Sequence, residues 1–168
     1  MAEQIFIIED GTLTKFECDD YAEEVYIPDC VKKIGCQSFF EAVVGKVVLS
    51  DSVTTIEADA FLDCTLSEIE IPNSVTTIET WAFSGCENLQ SITIPDSVTS
   101  IGPWAIGYRE DQFHPWLDPI PFGRPVIIYG KKGSEAERYT KDNYRRFNEH
   151  ITEFREIGTD AGKQEGKS

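Results

Sequence analysis

A thiol and an imidazole can make a nucleophile and its base, and this 168-residue chain offers Cys86 with His114. In such a pair the histidine would take the proton and the thiolate would attack a carbonyl, which is the chemistry of a thiol-dependent hydrolase. No elbow motif surrounds Cys86 and nothing in the pattern orients the pair. The cysteine also recurs at a fixed interval, so a place in the core accounts for it better. The five cysteines, Cys18, Cys30, Cys36, Cys64 and Cys86, are an odd number without metal-ligand clustering, and both histidines, His114 and His150, lie downstream of them. Cys64 and Cys86 stand 22 residues apart in successive repeats. Parallel neighbours stack about 4.8 Å apart with side chains pointing the same way. A disulfide instead needs β-carbons turned toward each other, so both residues are expected as buried free thiols. A second row, Asp29, Asp51, Asn73 and Asp96, could offer oxygen ligands to a hard cation such as Ca²⁺. It lacks the D-x-D-x-D-G loop that calcium chemistry uses, and reads instead as an Asx-turn at each corner. No cofactor and no metal are expected.

The elements that must position these residues repeat. I-P-x-S-V-T-x-I recurs, and the strand-like segments Val25–Pro28, Val47–Ser50, Ile69–Pro72 and Ile92–Pro95 are spaced by 22, 22 and 23 residues. A fixed period of that size makes each unit one coil of a stacked array. Period-two alternation turns Val25, Ile27, Val47, Leu49, Ile69, Ile71, Ile92 and Ile94 inward, and the strands are expected to form one parallel sheet. Proline at the strand end withholds a ladder donor and stops the strand. Next comes a shorter β-branched segment, Val31–Ile34, Val53–Ile56, Val75–Ile78 and Val98–Ile101. Five positions past each of its isoleucines stands Phe39, Phe61, Phe83 or Ile106, preceded by Ser38, Ala60, Ala82 or Ala105, which predicts a packed column along the axis. The threonine rows Thr54, Thr76, Thr99 and Thr55, Thr77, Ser100 follow from β propensity rather than from a binding comb.

An array exposes apolar surface at both ends unless it is capped. Asp10-Gly11 between two alternating runs predicts an N-terminal hairpin. Ser134-Glu135-Ala136-Glu137 matches a helix capping box, with Ala136, Tyr139, Thr140 and Tyr144 along one face of the helix that follows. The expected layout is one domain over 1–154: an N-terminal cap at 1–24, repeats at 25–106, an insertion at 107–125, and a final strand with a helical cap at 126–154. A flexible polar tail at 155–168 follows.

Charge excludes some partners. Residues 1–108 carry 19 acidic and 4 basic side chains, residues 109–168 carry 11 of each, and no basic residue lies between Val47 and Tyr108. Nucleic-acid affinity rests on Lys and Arg displacing counterions from phosphates, so no nucleic acid is expected here. No apolar run reaches the ~20 residues of a membrane span and the N-terminal sequence carries no export signal, which places the chain in the cytoplasm.

The repeat I-P-x-S-V-T-x-I, the A-F pair and the cysteines Cys64 and Cys86 resemble the BspA-like leucine-rich repeat family of bacteria over about Phe6 to Phe147. The places matching those cysteines hold Ala42 in the first unit and Arg109 in the fourth. The leading F-x-I-x-D-G-x-L-T and the segment Ile128–Glu137 are similar to the family's terminal units. The resemblance implies an α/β, β-rich, right-handed leucine-rich-repeat solenoid used for binding, often on cell-surface proteins involved in adhesion. That surface role is the alternative to a cytoplasmic, non-enzymatic protein-interaction module with a basic or polar protein partner. The outward strand positions form the candidate binding face: Glu24, Lys46, Glu68 and Ser91 in one column, with Tyr26, Val48, Glu70, Thr93 and Ile127 beside it. A solvated sheet without a ligand is the other reading of the same columns. Within Gly107–Arg124, Tyr108, Phe113 and Trp116 are candidate contacts, and the same segment could instead fold back over the last coil.

Overall fold

A computed structural model describes residues 3–109, 120–121, 124–147 and 151–157. The chain opens with β1 (Gln4–Glu9) and β2 (Thr12–Cys18), antiparallel about Asp10-Gly11, both of which take positive φ. The predicted hairpin is therefore formed, and it is tied into the array because β2 pairs in parallel with β4 (Lys33–Ile34). Coil by coil follow β3 (Ala22–Tyr26), β5 (Val44–Val48), β6 (Thr55–Ile56), β7 (Glu68–Glu70), β8 (Thr77–Ile78), β9 (Ser91–Thr93) and β10 (Ser100–Ile101). The V-T-x-I segments form short strands that pair in parallel, so that one sheet runs β1-β2-β4-β6-β8-β10, with Ile34, Ile56, Ile78 and Ile101 in register and buried.

Between the sheets lies the aromatic column. Phe39, Phe61 and Phe83 are wholly buried and stack at centroid separations of 4.8 and 5.2 Å. Phe16 of the hairpin extends the stack to Phe39 at 4.7 Å, so the hairpin covers the apolar end of the array. The chain can turn tightly enough to repeat this because each coil carries two left-handed residues: Gln37, Asp59, Trp81 and Trp104 at one place, and Glu41, Asp63, Gly85 and Gly107 at the other. Non-glycine residues tolerate this conformation only where the surroundings hold it, and here the N–H groups of Glu41, Asp59, Asp63 and Trp81 donate to the next coil. Asp59 N–H donates to Thr80 O and Trp81 N–H to Pro103 O, both at 3.3 Å.

Three expectations are corrected. First, the main strands do not form one sheet. β3-β5-β7 is one ladder, and β9 belongs to another with β13 (Val126–Gly130) and β14 (Thr152–Glu156), in the order β14-β13-β9. β7 and β9 lie side by side without a ladder. The unit that precedes β9 is the one of 23 residues, its extra residue falling between Cys86 and Leu89, and an added residue breaks strand register. Second, the corners are closed by the main chain rather than by Asx side chains. Val31, Val53, Val75 and Val98 N–H groups donate to Pro28, Ser50, Pro72 and Pro95 carbonyls at 3.0–3.2 Å, while Asp29, Asp51, Asn73 and Asp96 stand exposed. Third, Ile128 pairs with Ile92, so Ile127 lies beside Ser91 and Tyr129 beside Thr93. The two-residue slip keeps the same faces in and out, because strand periodicity is two.

Helix α1 (Glu135–Phe147) turns Ala136, Tyr139 and Thr140 onto the last coil, where the Tyr139 hydroxyl accepts from Ile106 N–H at 2.9 Å. The side chain of Tyr144 lies outside the described residues. The expected capping box is not made: Ser134 Oγ has no hydrogen-bond partner among the described residues, and the Glu137 carboxylate reaches past the cap to accept from Gly133 N–H at 2.7 Å. Strand β14 then returns to pair with β13, carrying regular structure to Glu156 and into the segment expected as a loose tail.

Candidate functional site

On the β3-β5-β7 ladder the outward positions meet in register. Glu24 faces Lys46 and Lys46 faces Glu68 in one column, while Tyr26 faces Val48 and Val48 faces Glu70 in the next. Each faces out because its neighbours Val25, Val47 and Ile69 are buried in the core. Lys46 Nζ lies 3.2 Å from Glu68 Oε1 and 2.5 Å from Glu70 Oε1. Hydrogen bonds to Glu70 and then Glu68 hold the Lys46 ammonium above its ordinary range. The Tyr26 hydroxyl donates to Glu24 Oε2 at 2.8 Å, and that bond, together with the carboxylate's charge, raises the phenol's pKa. One cation among Glu24, Glu68 and Glu70 leaves the patch acidic, with Tyr26 standing 61% exposed at its edge.

Ser91 and Thr93 also face outward, but on the second ladder, where Ser91–Ile127–Glu153 and Thr93–Tyr129–Arg155 form the columns. Arg155 Nε donates to Glu153 Oε1 at 3.0 Å. Tyr129, Glu153 and Arg155 were not among the residues singled out from sequence. The signal for Glu153 and Arg155 was present in Thr152–Arg155, where inward Thr152 and half-buried Phe154 alternate with exposed Glu153 and Arg155, a strand pattern set beyond a helix.

Tyr108 is not a contact residue. It is wholly buried, in the short strand β11 (Tyr108–Arg109) that pairs with β12 (Ile120–Pro121). It stands 22 residues after Cys86 and so takes the place in the cysteine row that Arg109 was expected to fill. The reason is the left-handed Gly107, which comes one residue after Ile106 where Gly85 comes two after Phe83. Phe113 and Trp116 lie outside the described residues, as does His114. The thiol proposed to act with His114 is unsuited to attack. Cys86 is fully buried, its thiol donates to Phe61 O at 3.0 Å, and burial pushes its pKa well above the ordinary thiol value. Cys64 is likewise buried and free, pushed up to about 12 by desolvation. Among the described residues no three His, Cys, Asp or Glu side chains lie close enough to hold a metal ion.

The family described as BspA type leucine-rich repeat region (6 copies) matches residues 13–110, more than half of the chain. The chain belongs to this family. Membership agrees with the resemblance drawn from I-P-x-S-V-T-x-I and with the stacked coils that the structure shows. Among solved structures the chain is similar to a leucine-rich repeat protein from Bacteroides ovatus, at 27% identity over 60% of this chain and 36% of that one, with a TM-score of 0.45. It is similar to the leucine-rich repeat protein of T. pallidum, at 24% identity over 62% of this chain and 63% of that one, TM-score 0.46. The pneumococcal vaccine antigen PcpA shares 18% identity over 92% of this chain and 46% of its own, TM-score 0.47. The chain thus spans less than two thirds of the length of each of these three. No curated protein sequence matches it.

Proposed function

We propose that the chain is a non-enzymatic protein-interaction module whose binding face is the outward side of β3, β5 and β7, continued by Ser91 and Thr93 of β9. The observation that supports this most is the in-register pair of columns Glu24–Lys46–Glu68 and Tyr26–Val48–Glu70. Their side chains stand in fixed rows on strands anchored by a buried core, so little conformational freedom is lost when a partner docks. An exposed tyrosine beside a net acidic cluster suits a basic or polar protein surface, because Tyr supplies contact area and the carboxylates supply complementarity. Family membership weighs toward display at a cell surface over the cytoplasmic location expected from the sequence. Among the described residues no helix is long and apolar enough to cross a membrane.

Affinity capture from host extract tests the face, comparing the wild-type chain with Tyr26→Ser/Glu70→Lys/Thr93→Arg. A partner held by the first and released by the second supports the assignment, and equal capture by both overturns it. Labelling of intact cells with a membrane-impermeant reagent decides the location.

A further inference from the structure

A second surface lies at the N-terminal end, before the starts of β3 and β5. There β1, β2, the link into β3 and the turn Phe40–Val43 enclose a groove of about 640 Å³. Its apolar lining is unusually open: Ile5 is 45% exposed, Tyr21 53%, Phe40 49% and Val43 51%, over a floor that includes Phe16. These are most of the exposed large hydrophobic residues found among the described residues, gathered in one place. A clustered patch of this kind on a folded protein marks an interaction site more often than scattered exposure does. The aromatic stack does not use these side chains; it is completed by Phe16 on Phe39 beneath them.

The rim says what fits. Glu3, Glu17, Asp19, Asp20 and Glu41 border the apolar lining, and among the described residues no basic side chain does. Among the described residues only Glu17 of these five has a basic partner, Lys15 at 2.6 Å. Asp19 and Asp20 accept backbone N–H bonds from Glu3 and Tyr21 at 2.9 and 2.7 Å, which fixes their carboxylates at the mouth of the groove. A second copy of this chain would bring like charge to the rim, since residues 1–108 sum to −15. We infer that the groove receives a peptide segment of a partner protein in which large apolar side chains are flanked by Arg or Lys. Apolar side chains would cover Ile5, Phe40 and Val43 while the cations answer the carboxylate rim, a division between anchor and rim that interfaces commonly show.

The probe is a fluorescein-labelled Arg-Leu-Arg-Phe-Arg-Leu-Arg peptide, followed by anisotropy, with a control in which Leu and Phe become Ser. The wild-type chain should bind the apolar peptide at least about 10-fold more tightly than the serine control, and Phe40→Ser/Val43→Ser should remove that preference. Asp19→Asn/Asp20→Asn should weaken binding and flatten its salt dependence while leaving the melting temperature in place, and it carries the test should the apolar variant be unstable. Tyr26→Ser/Glu70→Lys should bind the probe as wild type does, which separates this groove from the sheet face. Equal binding of both peptides, unchanged binding by the Phe40 and Asp19 variants, absence of binding, or self-association that Phe40→Ser/Val43→Ser abolishes would each overturn the inference.

Discussion

Single residues divide by the direction the strand pleat gives them. Phe83 stacks against Phe61 with no exposure, so Phe83→Ala should lower stability by about 3–5 kcal/mol through the cavity it opens. Glu70→Ala removes an exposed partner of Lys46 and should shift the urea midpoint by little, since solvent screens exposed ion pairs. Similar midpoints for the two variants would contradict the inward and outward assignment. Gly85 is the sharper case. It holds φ +72°, and a β-carbon there would lie 2.9 Å from Asp63 Cα and closer still to the Asp63 carboxylate. Gly85→Ala is thus expected to cost about 1–3 kcal/mol from the backbone conformation alone, with displacement of Asp63 in addition. At Cys86 the prediction is kinetic: alkylation at mildly basic pH should proceed only as the chain unfolds, because burial keeps the thiol protonated. The inward direction of Phe83 and Cys86 and the outward direction of Glu70 were legible as recurrence and alternation. The left-handed positions were not, because Gln37, Asp59 and Trp81 share no chemistry that announces them.

Between elements, polar side chains reach from one coil to the one before. The Glu57 carboxylate accepts from Cys36 N–H and the Glu79 carboxylate from Ala58 N–H, each satisfying a turn amide in the preceding coil. The hydroxyls of Thr54, Thr76 and Thr99 donate to Lys32, Thr54 and Thr76 carbonyls, so this first threonine row stitches coils together. Glu57 and Glu79 each follow the isoleucine of their unit, and their reach across the coil depends on stacking, which local sequence does not state. In the fourth unit Gly102 replaces this glutamate, because a side chain there would strike the Thr80 and Glu79 backbone at 2.4–2.7 Å. At β10, the last strand of that sheet, the Glu135 carboxylate of α1 accepts from Ile101 N–H at 3.0 Å, an amide other than those the repeat glutamates serve. Burial pushes the Glu135 carboxyl up, yet hydrogen bonds from Arg138 and Ile101 outweigh it and hold the group below the ordinary value of 4.5. A carboxylate whose folded pKa is depressed adds stability above its unfolded pKa and loses it as pH falls through the folded one. Wild type should therefore lose more stability than Glu135→Gln as pH drops below about 4.5, and parallel pH curves in urea titrations would count against the docking role.

The molecule as a whole is a stack whose charge is uneven. With no cation between Val47 and Tyr108, the repeats repel themselves, and the melting temperature should rise as salt goes from about 20 to about 500 mM. A fall or no change would mean that local ion pairs such as Lys46 with Glu68 and Glu70 already balance the field. The coil, its core positions and the aromatic column followed from the amino-acid order alone, because identical units that stack in parallel must bury identical places. Which outward residues share a surface was decided only by the tertiary structure. One extra residue before Leu89 separates β7 from β9, and an early Gly107 turns Tyr108 inward. A helix of 13 residues carries the chain back so that Glu153 and Arg155 join a ladder that local periodicity does not reach. Register across a sheet is a long-range property, and a single added or missing residue resets it for everything that follows.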